Sequence, residues 1–155
     1  MAIMECRSTV CLVVLLFSAL TSRPLTADGA ADIVGTWLVE DKTGKIQIFK
    51  CGDKYCGKTV WIKPTKEHPN PQEILDIHNP NPEKRTRKIL GKTMMWGLTY
   101  NRDDRRWEGG SIYDNRKGKV YSCQATLRAG GKELLLRGFI GISLIGQTTV
   151  WTRLK

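Results

Sequence analysis

Four side chains in this sequence are of the types that carry acid, base or nucleophilic chemistry: Asp76, His78, Asp114 and Cys123. A catalytic site needs such groups within hydrogen-bonding reach of one another. Cys123 falls in a predicted strand, whereas Asp76 and His78 fall in a proline-rich loop. The sequence also contains no nucleophile elbow, zinc-protease motif or phosphate-binding glycine loop. We therefore predict a protein that is not an enzyme and that uses no cofactor.

A metal site would have to be built from His68, Asp76 and His78. The two histidines are separated along a loop interrupted by proline, and a metal site also requires a supporting second layer of hydrogen bonds. We therefore predict no metal. A structural role is favoured for Asp76 and Asn79, because both side chain types hydrogen-bond nearby backbone and stiffen turns.

Two arginines follow that loop segment, Arg85 and Arg87. Either of two roles suits them: pairing with Asp76, which we favour, or holding the anionic head group of a ligand. The second role would place them at the rim of a binding site.

The apolar strand residues allow two interpretations, a ligand pocket with an adaptable lining or a fully packed core. The residues that we expect to face inward are Ile46, Ile48, Val60, Met94, Trp96, Tyr113, Tyr121, Leu127, Leu136 and Phe139. For the pocket interpretation, the predicted ligand contacts are Met94, Trp96, Tyr113, Tyr121, Leu136, Phe139, Arg85 and Arg87.

Turn residues divide the chain after its first thirty residues into short segments of strand character, a spacing typical of all-β proteins. The predicted strands are Ile33–Glu40, Lys45–Cys51, Tyr55–Lys63, Lys92–Tyr100, Trp107–Tyr113, Lys119–Arg128, Glu133–Ile140 and Gln147–Leu154. We expect an eight-stranded antiparallel up-and-down barrel, since closure removes both sheet edges. A β-sandwich is the alternative, but the short connections favour pairing between successive strands.

The rhythm of short turns is interrupted once, between the third and fourth predicted strands. Five of the six prolines lie between Pro64 and Pro82. Because proline removes a backbone donor and biases the preceding residue away from helix, we predict a long structured loop there. Long loops in compact domains are often functional.

The two ends of the predicted barrel carry residues that suit its closure. Gly35 and Trp37 open the first strand, and Trp151 and Arg153 lie in the last one. In a closed barrel these strands are neighbours, so the Arg153 guanidinium can cover the face of Trp37, an interaction worth roughly 0.5 to 2 kcal/mol. We predict that these four residues seal the barrel.

The first thirty-one residues have the pattern of a secretory signal peptide. Arg7 precedes an apolar run from Val10 to Leu20, and small residues offer cleavage after Ala27 or Ala31. This run is too short to span a bilayer, which takes roughly 20 residues. We predict a signal peptide over residues 1–31 and one domain over residues 32–155, with no transmembrane segment in the mature protein.

The formal net charge of the chain is +10, and removing residues 1–31 leaves it unchanged. A basic surface attracts nucleic acid, anionic lipid or cell-wall polyanions, and it also keeps a small protein soluble. Export argues against nucleic acid as a partner. An anionic envelope surface remains a predicted partner, and the oligomeric state is left open.

Cys51 and Cys56 flank a four-residue loop that suits a turn between two strands. Their Cβ atoms can approach within bridging distance, and export favours oxidation, so we predict a disulfide. Cys123 alternates with apolar residues and is predicted to be a small buried side chain.

Several of these stretches together resemble the DUF2147 family of small exported bacterial proteins. The residues that carry the resemblance are Cys51-Gly52, Cys56-Gly57-Lys58, Trp61, Asp76, Asn79-Pro80, Arg85, Arg87, Gly91, Gly109 to Asp114, Gly118 to Tyr121 and Arg137 to Arg153. The resemblance covers residues 33–154 and implies a lipocalin-like, calycin-type barrel located outside the cytoplasm of Gram-negative bacteria. Asn115, Arg116 and His78 depart from the family pattern in loops.

These observations predict an exported lipocalin-like protein that binds a small lipidic, amphipathic or fatty-acid-like ligand, located in the periplasm or secreted. The alternative is a basic protein with a filled barrel and no ligand that contacts anionic components of the cell envelope. Salt dependence separates the two, because exposed charges are screened over about 8 Å at physiological ionic strength whereas burial of an apolar tail is not.

Overall fold

The computed structural model describes residues 29–155, which form a closed barrel of eight antiparallel strands. The strands are β1 (Gly35–Leu38), β2 (Gly44–Cys51), β3 (Lys54–Ile62), β4 (Thr93–Asn101), β5 (Arg106–Asp114), β6 (Lys119–Arg128), β7 (Glu133–Phe139) and β8 (Gly146–Arg153). The predicted signal peptide covers residues 1–31, of which 1–28 lie outside the described part of the chain. It stays a prediction.

Each strand pairs with its neighbour in sequence, and β1 pairs with β8 to close the ring. At the closure, Trp37 lies opposite Arg153 and Leu38 lies opposite Thr152. The predicted up-and-down barrel is therefore confirmed, and the β-sandwich alternative is wrong. The first strand is shorter than predicted, because Ala30–Ile33 forms a 3-10 helix before it.

The core follows from alternation along the strands, since successive side chains point to opposite faces of a sheet. Ile46 and Ile48 are buried on β2, and Leu134 and Leu136 are buried on β7. The buried core cluster consists of Ile33, Trp37, Ile46, Ile48, Tyr55, Met95, Leu98, Trp107, Cys123, Ala125, Leu134, Leu136 and Trp151. One continuous core therefore occupies the barrel.

Because the strands run up and down in order, successive connections lie at opposite ends of the barrel. We call the end that carries residues 39–43, 63–92, 115–118 and 140–145 the mouth end. The other end, called the closed end, carries the 3-10 helix Ala30–Ile33, the cysteine turn and the connection between β6 and β7.

The connection between β3 and β4 spans residues 63–92 and contains the 3-10 helices Pro71–Glu73 and Pro82–Lys84. Each begins after an asparagine, Asn70 or Asn81, whose side chain accepts a hydrogen bond from backbone two residues later. An isolated bridge between Leu75 and Lys88 holds the loop together at its middle. Across residues 29–155, no helix combines the length and the apolar character that crossing a bilayer demands.

Candidate functional site

The closed end is sealed by Arg153. Its guanidinium carbon lies 4.2 Å from the centre of the Trp37 ring. Its Nε donates to the Gly131 carbonyl at 2.6 Å, and its terminal nitrogens donate to the carbonyls of Val34, at 2.9 Å, and Asp32. The planar five-donor group of arginine suits this arrangement, which joins both chain ends to the β6–β7 connection.

Gly35 makes room for that guanidinium. A Cβ atom at this position would lie 2.7 Å from Nη1 of Arg153, and the φ angle of Gly35 is +146°, which L side chains rarely adopt. Trp37 below it is fully buried, and its Nε1 donates to the Ile33 carbonyl at 3.0 Å. Trp151 is also buried in the core cluster.

The lower part of the barrel is filled with side chains. Trp37, Trp107 and Trp151 all belong to the core cluster and are at most 5% exposed. A shallow depression of about 390 Å³ lies on the outside of the closed end, next to Val34, Lys132 and Arg153. Space for a ligand therefore has to be sought at the mouth end.

The structure brings together only part of the predicted ligand lining. Leu136 belongs to the core cluster, and Met94 packs against that cluster. Tyr121 is partly buried and lies on the inner face of β6, two residues before Cys123. The Sδ atom of Met94 accepts a hydrogen bond from the Thr59 hydroxyl at 3.0 Å. These three predicted residues lie on or near the inner wall.

Four other apolar residues that were predicted to face inward lie elsewhere. Trp96 is 39% exposed and Val60 37% exposed, so the predicted inward orientation is wrong for both. Tyr113 is buried but lies outside the core cluster, on the opposite face from the core-packed Ile112. Phe139, three positions after Leu136, lies by alternation on the outer face.

For Trp96 and Tyr113, the cause of the difference is an irregularity in strand pairing. The register of β3 against β4 shifts between Gly57 and Lys58, and that of β5 against β6 shifts between Trp107 and Gly110. Each extra residue reverses the faces that follow it. Consequently Met95 rather than Trp96 is buried, and Ile112 rather than Tyr113 packs inward.

A buried polar cluster lies between the long loop and the barrel. Asp76 is 1% exposed, and its carboxylate accepts from the Tyr113 hydroxyl at 2.7 Å, from the Asn79 amide at 2.6 Å and from the Lys92 ammonium. The Asp76 backbone N–H also donates to the Arg87 carbonyl at 2.9 Å. Sequence reasoning selected Asp76 and Asn79 but missed Lys92, for which no motif gives a signal.

The contacts of this cluster fix its protonation. Burial acts to raise the pKa of Asp76, but hydrogen bonds from Lys92, Tyr113 and Asn79 outweigh it and hold the pKa below its usual value. Burial, together with the bond to Asp76, raises the pKa of Tyr113 to about 12. The Asp76 carboxylate is thus ionised, and both of its oxygen atoms already accept hydrogen bonds. This arrangement suits holding the loop in place rather than proton transfer.

The other side chains considered for catalysis or metal binding are not part of the Asp76 cluster. His68 and His78 are exposed, and Asp114 accepts from the Arg116 backbone N–H at 3.0 Å. Cys123 lies in the core, where burial raises its thiol pKa to about 12. Within residues 29–155, no group of three His, Cys, Asp or Glu side chains is arranged to hold a metal ion.

The two predicted rim arginines are exposed on the long loop. The Nε of Arg85 donates to the Asn79 carbonyl at 2.8 Å, so Arg85 supports the Asn79 turn rather than pairing with Asp76. The backbone of Arg87 takes part in the same loop through its carbonyl. The predicted Cys51–Cys56 disulfide is confirmed, with the Cα atoms 5.9 Å apart at the closed end.

Two contacts draw the connections at the mouth end together. The carbonyl oxygen of His78 lies so close to Gly118 that a Cβ atom there would be 1.9 Å away. Arg116 in the β5–β6 turn pairs with Asp41 in the β1–β2 turn at 3.2 Å. Since β1 and β5 stand four places apart around the ring, this pair narrows the mouth.

The closed barrel and its residue pattern agree with one family model, described as an uncharacterized protein conserved in bacteria (DUF2147), which matches residues 35–153. The chain belongs to the DUF2147 family. None of the functionally curated proteins matches this DUF2147 chain significantly.

The DUF2147 barrel is similar in structure to protein HP1028 from Helicobacter pylori, which is described as belonging to the lipocalin family. The TM-score is 0.68, the sequences are 20% identical, and the similarity covers 79% of this chain and 83% of that chain. At this level of identity the similarity establishes a lipocalin-like fold.

Proposed function

We propose that this DUF2147 protein is an exported, non-catalytic binding protein for a small lipidic or amphipathic ligand. The observation that carries the proposal is the closed eight-stranded lipocalin-like barrel, which is sealed at one end. A barrel of eight strands is just wide enough to hold one small ligand or to be filled by side chains.

The ligand would enter at the mouth end, because Arg153 and three buried tryptophans occupy the other. There the partly buried Tyr121, Ile112 and Met94 offer aromatic and flexible apolar contacts on the inner wall. The filled lower half restricts the ligand to a shallow position. Arg85 and Arg87, exposed on the long loop, are the candidates for contacting an acidic head group.

Export is supported by two features. The apolar run that ends at Leu20 has the length of a signal-peptide core, and the Cys51–Cys56 disulfide suits an oxidising compartment. We therefore propose the periplasm of a Gram-negative bacterium, or secretion, as its location.

The non-catalytic part of the proposal rests on the candidate acid and nucleophile. Asp76 has its carboxylate engaged by three donors, and Cys123 is a buried thiol whose pKa lies near 12. A reactive thiol needs a lowered pKa and access to solvent.

Native mass spectrometry of the protein purified from a bacterial host, followed by lipid extraction, tests this function. We expect a bound small molecule, and we expect the protein to bind a dansyl-labelled fatty acid in titrations. Tyr121→Ala is expected to weaken that binding several-fold, since the side chain lies on the proposed inner wall. Ser122→Ala, its exposed neighbour, is the matched control and should bind as the wild type does. Absence of both a co-purified molecule and fatty-acid binding would refute the carrier function.

A second candidate function is favoured by the packed core and the net charge of +10: a basic protein, without an internal ligand, that contacts anionic envelope material. It predicts binding to anionic material that weakens steeply with salt. Binding of a fatty acid by its tail would change little over the same salt range.

A further inference from the structure

The connection between β7 and β8 exposes four aliphatic side chains within six residues. Ile140 is 66% exposed, Ile142 59%, Leu144 85% and Ile145 72%. We call these four side chains the apolar tip. Scattered apolar residues are normal on a protein surface, but a contiguous exposed group marks a contact site.

The shape of this connection is fixed by Arg137 on the neighbouring strand. Its Nε donates to the Ser143 carbonyl at 2.6 Å, and Nη2 donates to the Leu144 carbonyl at 3.2 Å. A turn bond from the Ile145 N–H to the Ile142 carbonyl, at 3.2 Å, adds to the arrangement. The polar backbone is thus held inward on Arg137 while the aliphatic side chains project into solvent.

Two other apolar residues at the mouth end are also more than half exposed. Val120 is 54% exposed at the start of β6, the strand that pairs with β7. Ile77 is 61% exposed next to His78, whose carbonyl packs against the β5–β6 turn at Gly118. The apolar side chains that are more than half exposed therefore lie at one end of the barrel, whereas Val34, Val60, Trp96 and Val150 elsewhere are 37–40% exposed.

Basic residues outnumber acidic ones around the apolar tip. Between residues 115 and 155, Glu133 is the sole acidic residue, and it lies at the closed end of β7. Arg116, Lys117 and Lys119 are exposed in the adjacent β5–β6 turn and at the start of β6. On the other neighbouring turn, Asp41 is paired with Arg116, the Glu40 carboxylate accepts from the Val150 N–H at 3.1 Å, and Lys42 is exposed. An apolar projection beside the exposed Lys117 and Lys119 is complementary to a surface that has an anionic exterior and an apolar interior.

We infer that the apolar tip docks this protein onto an anionic lipid bilayer, with the four aliphatic side chains in the boundary between head groups and acyl chains. Lys117 and Lys119 would contact the head groups. Interfacial binding of this kind grows with the apolar area inserted and with attraction between basic residues and anionic lipid. A second copy of the chain is a poorer occupant, because it would bring two basic surfaces together. The inference does not depend on a ligand inside the barrel.

Cosedimentation of the purified protein with vesicles tests the inference. We expect binding to vesicles of phosphatidylglycerol and phosphatidylethanolamine, and much weaker binding to vesicles of phosphatidylcholine alone. The double variant Leu144→Ser with Ile145→Ser should bind the anionic vesicles at least about tenfold more weakly, since burial of even one aliphatic side chain corresponds to a factor of this size. Val34→Ser is the matched control, because Val34 is 40% exposed at the closed end. Unchanged circular dichroism and melting temperature would show that the variants are folded.

A fluorescent label reports the insertion directly. The environment-sensitive dye NBD, attached through Leu144→Cys, should brighten and shift to the blue with anionic vesicles, whereas the same dye on Val34→Cys should not. Buried Cys123, 1% exposed, will not compete for the label in the folded protein. Equal vesicle binding by the double variant, or no change at position 144, would overturn the inference. So would a dimer in light scattering that the double variant abolishes, together with no vesicle binding. Fatty-acid binding is measured separately on the same samples, so the carrier function and the membrane inference can be refuted independently of each other.

Discussion

Asp76 is an ionised side chain whose exposure to solvent is nil, and three donors surround it. Burying a charge is costly unless it is paired and hydrogen-bonded, and here Lys92, Tyr113 and Asn79 meet that requirement. Lys92 immediately precedes β4, and Tyr113 lies near the end of β5. The carboxylate therefore ties the long loop to β5 and to the start of β4, which gives this buried acid a structural role.

Replacing Asp76 by Asn should destabilise the protein by roughly 2 to 4 kcal/mol at pH 7, because Lys92 loses the charge that compensates it. The pH dependence has a defined sign. Since the folded-state pKa of Asp76 lies below its ordinary value of 3.8, the stabilisation is complete above that value and is lost as the pH falls through the folded-state pKa. Urea denaturation between pH 3 and pH 7 should show this acid loss in the wild type and less of it in Asp76→Asn.

Glu83→Gln is the matched control for that experiment, because Glu83 is an exposed acid in the same loop. It should change the free energy of unfolding by less than about 0.5 kcal/mol, as is usual for surface sites. Equal stability of Asp76→Asn and Glu83→Gln would show that the buried cluster does not hold the loop.

Cys123 gives a second prediction at the scale of one residue. Its thiol is 1% exposed and has a pKa raised to about 12 by burial, so little thiolate exists at pH 8 and none is accessible. We expect a thiol reagent such as dithionitrobenzoate to modify the folded protein only at the rate of unfolding. Modification should become fast and stoichiometric in denaturant. Rapid modification of the native protein would instead indicate a reactive cysteine and reopen the possibility of catalysis.

Among the elements, the strands were predictable and their inward faces were only partly so. Turn residues and alternation located all eight strands, because both signals are local. Inward orientation was correct for Ile48 and Leu136, which lie where pairing is regular, and also for Ile46, which adjoins a register shift between β2 and β3. It was wrong for Trp96, which follows a register shift set by pairing between β3 and β4. Such a shift depends on two strands distant in sequence, and no local pattern reveals it.

The candidate site was less predictable than the fold for the same reason. Asp76 and Asn79 were selected for their turn chemistry, yet their partners Lys92 and Tyr113 are supplied by other elements. For the apolar tip, the sequence predicts only the end of a strand at Ile140 and a connection to the last strand. Its significance depends on how exposed the side chains are, and the exposure follows from the bonds that Arg137 makes.

The packing of one turn against the long loop leads to a prediction for Gly118. Gly118 has a φ of +63°, and a Cβ there would lie 1.9 Å from the His78 carbonyl oxygen. Gly118→Ala should therefore destabilise the protein by about 1 to 2 kcal/mol through backbone strain and by about 1 to 3 kcal/mol more through the clash. The free energy of unfolding in urea measures the sum.

Gly130→Ala separates the two contributions to that loss. Its φ of +64° is nearly the same, but nothing lies within 4 Å of its added Cβ atom. We expect this control to show the backbone strain alone. If both alanine variants lose the same stability, the long loop does not pack against the β5–β6 turn as described.

At the scale of the whole molecule, closure of the ring makes the two ends of the barrel different. The first and last strands meet at Trp37 and Arg153, and Arg153 also binds the β6–β7 connection. The contact between Trp37 and Arg153 could be predicted from the sequence, because a closed up-and-down barrel requires its terminal strands to be neighbours. The proposed ligand entry and the proposed membrane contact therefore both lie at the mouth end.

Arg153→Lys tests how far the integrity of the barrel depends on this seal. Lysine keeps the charge but cannot donate at once to the carbonyls of Gly131, Val34 and Asp32 while stacking on Trp37. We expect a loss of about 2 to 4 kcal/mol, because each hydrogen bond contributes about 1 kcal/mol and the stacking about as much again. Hydrogen exchange should quicken selectively in β1 and β8, the pair with the fewest ladder residues, while β5 and β6 keep their protection.

Arg128→Lys, at an exposed position at the end of β6, is the control and should leave both measurements unchanged. Uniformly faster exchange in all strands would mean that Arg153 supports the fold as a whole rather than the closure of its ends.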